Sequence, residues 1–509
     1  MDWKHGYFAE SGYTYGYYPE TMPMRLRWAA LIQGHTAPPS KFRYLDAGCG
    51  QGLNLILAAA AHPDSEFVGI DFLPEHIAHG KALAETCGLK NVTFIEGDFL
   101  ELAEDPTLHG SFDYAVCHGI STWIAPEVKS ALFTLIGRAL RPGGVFYNSY
   151  NTFPGWLGTV PFQHLVLLEQ RGKTGEKALD AARESFKALG ECAPGMFNAL
   201  PALESRIKVL EQQDRAYLVQ EYNNHYWQPV FVSKMIDDLK YAKLTYLGTA
   251  TLPEAYDNLF SKEVLQLLNK QGDPVVREQL RDYATNQSFR RDLYAKGRLS
   301  AWPGKLAELL GDFSISLNPV QSRPENDQPY VVHSGTGETR GDRKFYDSLM
   351  DRIAKDSDGV KVADLIRLRK NPNEAPSVLQ AVSILLHGGW ITPSSNLSDA
   401  MTTAGTSINR HLAAAVCAGA PYRYLSVPQL GGALPMRDTD WMMLDCRFRG
   451  IDPKNWLPEV VKILKRLNRG LMKGGEPVAD ESVRDEVLRE SIEEFSKSRL
   501  PALSRAGAI

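Results

Sequence analysis

The sequence predicts an α/β fold: a mainly parallel sheet with helices on both faces, followed by a mainly helical C-terminal region. Three observations carry this. From 42 to 149, short apolar runs alternate with runs of helical period, joined by brief connections. Three of the strands end at a turn that carries an acid: Asp46, Asp71 and Asp98. Past 316–343, a stretch rich in Pro, Ser, Gly and Asp, the period becomes helical.

Taken in order, the first 40 residues carry Tyr7, Tyr13, Tyr15, Tyr17 and Tyr18 ahead of Pro19 and have no clean period. A cover for the sheet edge and a lid over a ligand are equal readings of them. An amphipathic helix is expected at 24–32. Strands are expected at 43–47, 66–70, 92–96, 113–117 and 144–149, with helices at 53–61, 74–87 and 127–139. Pro74 suits a first helical turn, where its missing N–H costs nothing. Right-handed crossovers bring the carboxyl ends of parallel strands to one edge, where ligands bind. Arg141-Pro142-Gly143-Gly144 reads as a tight turn before the fifth strand.

Residues 160–215 are mostly helical in period, broken by Gly172, Gly190 and Ala193-Pro194-Gly195, and read as an insertion over the sheet edge. Further strands are expected at 217–222 and 243–249 around a helix at 231–239, and a last one at 289–295. Five parallel strands and two more after a helical excursion fit a seven-stranded sheet, which leaves one of these three later runs in excess. The expected domains are 1–160 (core), 161–300 (insertion and remaining strands), 301–343 (linker) and 344–509. In the last, helices at 344–355, 360–367 and 375–388 followed by Gly388-Gly389-Trp390-Ile391 resemble a winged helix.

Composition narrows the classes. The 509 residues are 44% hydrophobic and 23% charged, enough for more than one core. A net charge of −4 gives no pull toward nucleic acid or anionic lipid, and the basic run Lys454 to Lys473 reads as a solvated helix face. The six cysteines have no C-x-x-C spacing and no neighbouring His at ligand spacing, so a reduced, metal-free cytoplasmic protein is expected. The longest uncharged apolar run, 53–61, is too short to span a bilayer, and no apolar leader opens the sequence, so no membrane role is expected.

The chemistry is concentrated at Tyr44-Leu45-Asp46-Ala47-Gly48-Cys49-Gly50-Gln51-Gly52. Gly48 and Gly50 let the backbone close around a ligand at positive φ. A dinucleotide turn needs a third glycine at position 53, which is Leu53. Asp46 is an acceptor where a phosphate would want donors, so a ligand with a positively charged amino-acid moiety fits better. Asp71, some 20 residues on, is placed for ribose hydroxyls, and Asp98-Phe99 for adenine. Together they predict S-adenosyl-L-methionine (SAM).

Three segments carry a resemblance: Leu45 to Leu55, His118-Gly119-Ile120-Ser121-Thr122-Trp123-Ile124, and Ser149-Tyr150-Asn151-Thr152-Phe153-Pro154-Gly155-Trp156. With them the chain resembles a class I SAM-dependent methyltransferase with a methyltransferase regulatory domain. Its relatives include bacterial lysine methyltransferases of outer-membrane and surface proteins. The resemblance implies a Rossmann-like sheet and a cofactor set of Asp46, Gly48, Cys49, Gly50, Asp71, Phe72, Asp98, Phe99, His118 and Gly119. It also implies a protein lysine as acceptor. Many amino-methylating enzymes carry Asn/Asp-Pro-Pro-Tyr after the fourth strand; here that place reads Cys117-His118-Gly119, so nitrogen as acceptor rests on the resemblance.

Methyl transfer from a sulfonium is an in-line displacement that needs alignment and dryness. A lysine acceptor must also lose its proton, which burial favours. Tyr150, Trp123 and Trp156 are candidates for an aromatic channel, Asn151 for orienting the amine, and His118 for a base. Two other readings are a small-molecule O- or N-methyltransferase with His118 as base, and a SAM-binding scaffold without catalysis.

Overall fold

The computed structural model describes residues 14–193, 195–201, 203, 215–325, 327–356, 358–369, 371–474 and 476–509. Tyr7 and Tyr13, and part of the expected helical stretch 160–215, lie outside them. Seven strands form one sheet: β1 (Arg43–Ala47), β2 (Glu66–Asp71), β3 (Val92–Glu96), β4 (Phe112–His118), β5 (Leu140–Asn151), β6 (Leu244–Thr249) and β7 (Phe289–Lys296). Their order is β3-β2-β1-β4-β5-β7-β6. The pairs β1–β2, β2–β3 and β4–β5 are parallel, while β7 runs antiparallel to both β5 and β6. This is the seven-stranded arrangement that the sequence predicts.

The chain packs as two compact units. The first comprises Tyr15–Glu96, Ser300–Val332 and Arg340–Ile509. It contains the helix Leu53–Ala61, every residue of which is buried. Apart from Asn54, whose amide is hydrogen-bonded, that helix is apolar all round, as a helix covered on every side must be. The helix Pro23–Ile32, expected to be amphipathic, also buries most of its circumference, because Trp28 is enclosed and its Nε1 donates to Ser383 Oγ at 2.9 Å.

The second unit contains Gly97–Leu299 and His333–Thr339. Here β4 and the second half of β5 are buried almost throughout, β4 with a mainly apolar sequence and β5 with Asn148, Ser149 and Asn151 among its buried residues. The expected turn at Arg141 to Gly144 lies inside β5 as a bulge: Phe112 pairs with Leu140, but Tyr114 pairs with Val145. Residues 217–222 are helical, not a strand, within Arg215–Tyr222. Leu218, Val219 and Tyr222 are all buried, a spacing that a helix puts on one side.

The 316–343 stretch is more structured than a linker. It begins inside the strand Ser314–Leu317 and holds a hairpin, Tyr330–Ser334 with Gly337–Gly341. Helices Arg343–Ala354, Val362–Arg367 and Ala375–His387 follow. A winged helix would next need a hairpin, but after Ile391–Pro393 the chain enters the long helix Asp399–Cys417. The strand Ser314–Leu317, from ahead of the helices, completes a three-stranded sheet instead. No helix among the described residues is long and apolar enough to cross a membrane.

Candidate active site

The turn after β1 is held by β2. The amides of Gly48 and Cys49 donate to Ile70 O at 2.8 and 2.9 Å, and Gly50 N donates to Asp71 Oδ2 at 2.9 Å. This path requires φ of 86° at Gly48 and 53° at Gly50, values that glycine adopts without strain. Gly69 and Gly52 pack against Phe94, leaving no room for a side chain: a Cβ on Gly52 would lie 2.6 Å from its ring.

Asp71 accepts from three donors. Besides Gly50, Leu73 N donates to Oδ1 at 3.0 Å and His76 Nδ1 lies 3.2 Å from the same oxygen. A carboxylate has about four acceptor positions, so one remains for a ligand hydroxyl. Asp46 is different. It is 5% exposed, and its protein donor is the neutral amide of Asn54. Burial and the charge of Asp71 push its pKa up to about 7. Burial first, then the charges of Asp46 and Asp71, raise the Cys49 thiol well above its ordinary value, which makes it an inert thiol.

Asp98 caps the short helix Phe99–Leu102, accepting from Leu100 N at 2.9 Å, and Phe99 begins that helix. Both side chains are half-buried, as is Phe72.

In the second unit, register puts His118 beside Ser149 at the ends of β4 and β5. His118 Nδ1 lies 3.1 Å from Ser149 Oγ and 3.2 Å from Tyr147 OH, and its ring stacks on Tyr147 at 6.0 Å. Gly119 follows at φ 68°, its N–H on Ser149 Oγ at 2.9 Å. A Cβ added there would meet nothing within 4 Å.

Strand alternation puts Tyr147, Ser149 and Asn151 on one face of β5 and Tyr150 on the other. Asn151 is 4% exposed, and its Nδ2 donates to Glu221 Oε1 at 3.4 Å. Glu221 is 6% exposed, and it is the site residue that the sequence reading missed. Its signal was a carboxylate beside the buried positions 218, 219 and 222, hidden when the segment was read as a strand. Tyr150 is fully buried and donates to Asp292 Oδ2 at 2.6 Å, on the side away from Asn151.

Trp123 and Trp156 share one aromatic cluster with Phe162, Phe186, Tyr222 and Trp227. Trp156 meets Trp227 edge-on at 5.2 Å, and its Nε1 donates to Ser288 O at 2.7 Å. The structure therefore groups Asp46, Gly50 and Asp71; His118, Gly119 and Ser149; and Asn151 with Glu221. Tyr150 joins none of these.

Comparison with known proteins identifies the class. Residues 45–144 match the family model of a "Methyltransferase domain", and residues 214–296 that of a "Predicted methyltransferase regulatory domain". The chain is 29% identical to uncharacterized protein sll1526 of Synechocystis over all of both sequences. It is 25% identical to RP789 of Rickettsia prowazekii, over 63% of this chain and 58% of that one. Its structure is similar to that of PKMT2 from Rickettsia typhi in complex with AdoHcy, with a TM-score of 0.70 and 19% identity. That superposition covers 97% of this chain and 99% of the other, so the fold is shared into the C-terminal region.

The domain matches give residues 45–144 as a methyltransferase domain and residues 214–296 as a regulatory domain, and a class I SAM-dependent methyltransferase agrees with both. The residues present fit the cofactor. Among the described residues no cation lies against the buried carboxylate of Asp46, and Asp71 keeps an acceptor position.

Proposed function

We propose that this enzyme methylates the side-chain amine of lysine in a protein, and that Glu221 and Asn151 receive that amine. The observation that carries the proposal is the buried Asn151–Glu221 pair at the carboxyl end of β5. A carboxylate there suits an arriving ammonium, which an alcohol acceptor would not supply. Tyr222, next to Glu221 in the chain, belongs to an aromatic cluster with Trp123 and Trp156, and a ring facing the ammonium would add cation–π attraction of roughly 0.5–2 kcal/mol.

Bound SAM supplies an electrophilic methyl on a sulfonium. Asp46 would hold its ammonium, Asp71 its ribose, and Asp98 with Phe99 and Phe72 its adenine. The backbone at Gly48, Cys49 and Gly50 closes against the methionine moiety, and His118 with Gly119 borders the methyl. On the acceptor side, burial disfavours the lysine ammonium. A proton passing from Nζ to the Glu221 carboxylate removes both charges and exposes the nitrogen lone pair. Asn151 fixes the Glu221 carboxylate for that transfer. His118, tied through Nδ1 to two hydroxyls of β5, orients the methyl end of the site.

The test supplies isotopically labelled SAM and purified enzyme to a proteome, with the label then located by peptide mass spectrometry. Label on lysine Nζ is the expected result, and E221Q should cut kcat at least tenfold with donor affinity unchanged. Label confined to small molecules would overturn the reading in favour of a small-molecule acceptor. Full donor affinity with no transfer to any fraction would favour a scaffold.

A further inference from the structure

The donor turn is tied to the C-terminal region by a histidine whose two nitrogens are both engaged. His79, on the helix Pro74–Thr86, has Nδ1 2.6 Å from Gln51 O and Nε2 2.8 Å from Tyr422 OH. A carbonyl only accepts, so Nδ1 carries the proton and Nε2 accepts from the tyrosine hydroxyl. The ring is the neutral tautomer, and burial lowers its pKa in support of that form. Tyr15 closes the arrangement, its ring edge-on to His79 at 5.0 Å and to Tyr422 at 5.2 Å.

A second connection runs beside the first. Asn54, which donates to Asp46, also accepts from Tyr18 N at 3.0 Å and donates to Thr21 Oγ1 at 3.0 Å. In the same strap, Tyr17 OH accepts from Ala433 N at 3.0 Å and its ring lies 5.4 Å from that of Tyr424. Tyr424 and Ala433 belong to the C-terminal hairpin Tyr424–Val427 with Gly432–Pro435. A Cβ on Gly432 would fall 2.1 Å from Tyr17 OH, so strap and hairpin are in close contact.

Gln51 lies between Gly50 and Gly52, at φ of 53° and 76°. Glycine flanks leave a peptide many orientations in the free chain, and each must be given up when a ligand binds. An anchor on the Gln51 carbonyl removes that freedom in advance. We propose that Tyr422, acting through His79, is a positioning residue for the cofactor: the C-terminal region holds the donor turn in its binding shape. This rests on the assignment of residues 46–52 as the donor-binding turn.

The experiment measures SAM affinity by calorimetry on the full chain. Y422F removes the hydroxyl, and H79N keeps a donor near Gln51 O while losing the acceptor for Tyr422. Each should raise the Kd for SAM five- to tenfold. The double variant should be no worse than the weaker single, because both remove one connection. In turnover, KM for SAM should rise while kcat at saturating SAM changes less than twofold, a split that general loosening of the fold would not give. Values of Kd within twofold of the parent for both singles, or effects that multiply in the double, would overturn the proposal. D46N separates the two failures: if it also leaves Kd unchanged, the turn assignment is wrong, and if it alone weakens binding, only the role of Tyr422 is.

Discussion

Two groups of buried acids in this molecule have opposite relations to positive charge. Around Arg290 the protein supplies its own. Nε of Arg290 meets Asp292 at 2.9 Å, NH2 meets Glu278 at 2.7 Å and Tyr246 OH at 2.8 Å, and NH1 bonds Asp282. Tyr150 OH completes the shell of Asp292. Burial raises Glu278, but Arg290 and Arg281 outweigh it and leave its pKa below the ordinary value. Burial wins at Asp282, pushed up to about 7, and at Asp292, also raised. It is the paired guanidinium, and not the pKa, that sets this cluster apart. At the donor turn, Asp46 has an amide and a like charge for neighbours, and its pKa goes up to about 7. An acid cluster with its cation built in is structure. One with no cation against it among the described residues is, on the proposed function, where a cationic ligand would bind.

The comparison breaks first at Arg290. R290M leaves two or three carboxyl groups buried without their counter-charge, and loss of one partner of a buried pair costs about 3–5 kcal/mol. Denaturant unfolding should show a loss of that size. A loss under about 1 kcal/mol would mean that the cluster tolerates neutralisation and is no lock. D46N should do the reverse. It removes a poorly compensated acid, so thermal stability should hold or rise, while the Kd for SAM increases about 10- to 100-fold, the scale of a charge-assisted contact of roughly 1.5–3 kcal/mol. A destabilised D46N with intact affinity would make Asp46 a structural acid like those around Arg290.

The donor half was largely legible in the sequence because its logic is local. Strand, acid and glycine turn follow one another at 44–52, and Asp71 reaches back only 21 residues to Gly50. Period alone located β1 to β7 and the longer helices between the first five. What failed was what distant packing decides. The 217–222 segment has β-forming side chains, yet it is a helix because Leu218, Val219 and Tyr222 share one buried side. Trp28 turned an expected amphipathic helix into a buried one through Ser383, 355 positions away. The same holds for function: Asn151 meets Glu221 across 70 residues and His79 meets Tyr422 across 343. No spacing rule connects such pairs. Tyr150 and Asn151 were read as one aromatic-amide wall, but alternation in β5 sends them to opposite faces.

Y150F sharpens that last distinction. The hydroxyl donates to a buried carboxylate, so its removal should cost about 1.5 kcal/mol in unfolding experiments. With Tyr150 in the Arg290 cluster, kcat at saturating substrates should stay within twofold of the parent. A tenfold fall in kcat with unchanged stability would return Tyr150 to the acceptor wall.

The smallest expected effect is a pH dependence whose sign differs between free and bound enzyme. The folded pKa of Asp46, about 7, lies above its ordinary 3.8. Between those values the folded state holds a proton that the unfolded state has lost. The Asp46 contribution to stability is therefore whole below pH 3.8 and declines as pH rises toward 7. Donor binding runs the other way, because an ammonium needs the ionised carboxylate. SAM affinity should rise about tenfold from pH 6 to pH 8, as the ionised fraction goes from about 0.1 to about 0.9, and the gain in melting temperature on adding SAM should grow with it. D46N should flatten both curves. A pH-independent Kd in the parent would mean that the ammonium is held elsewhere, and the contrast with the Arg290 cluster would lose its functional half.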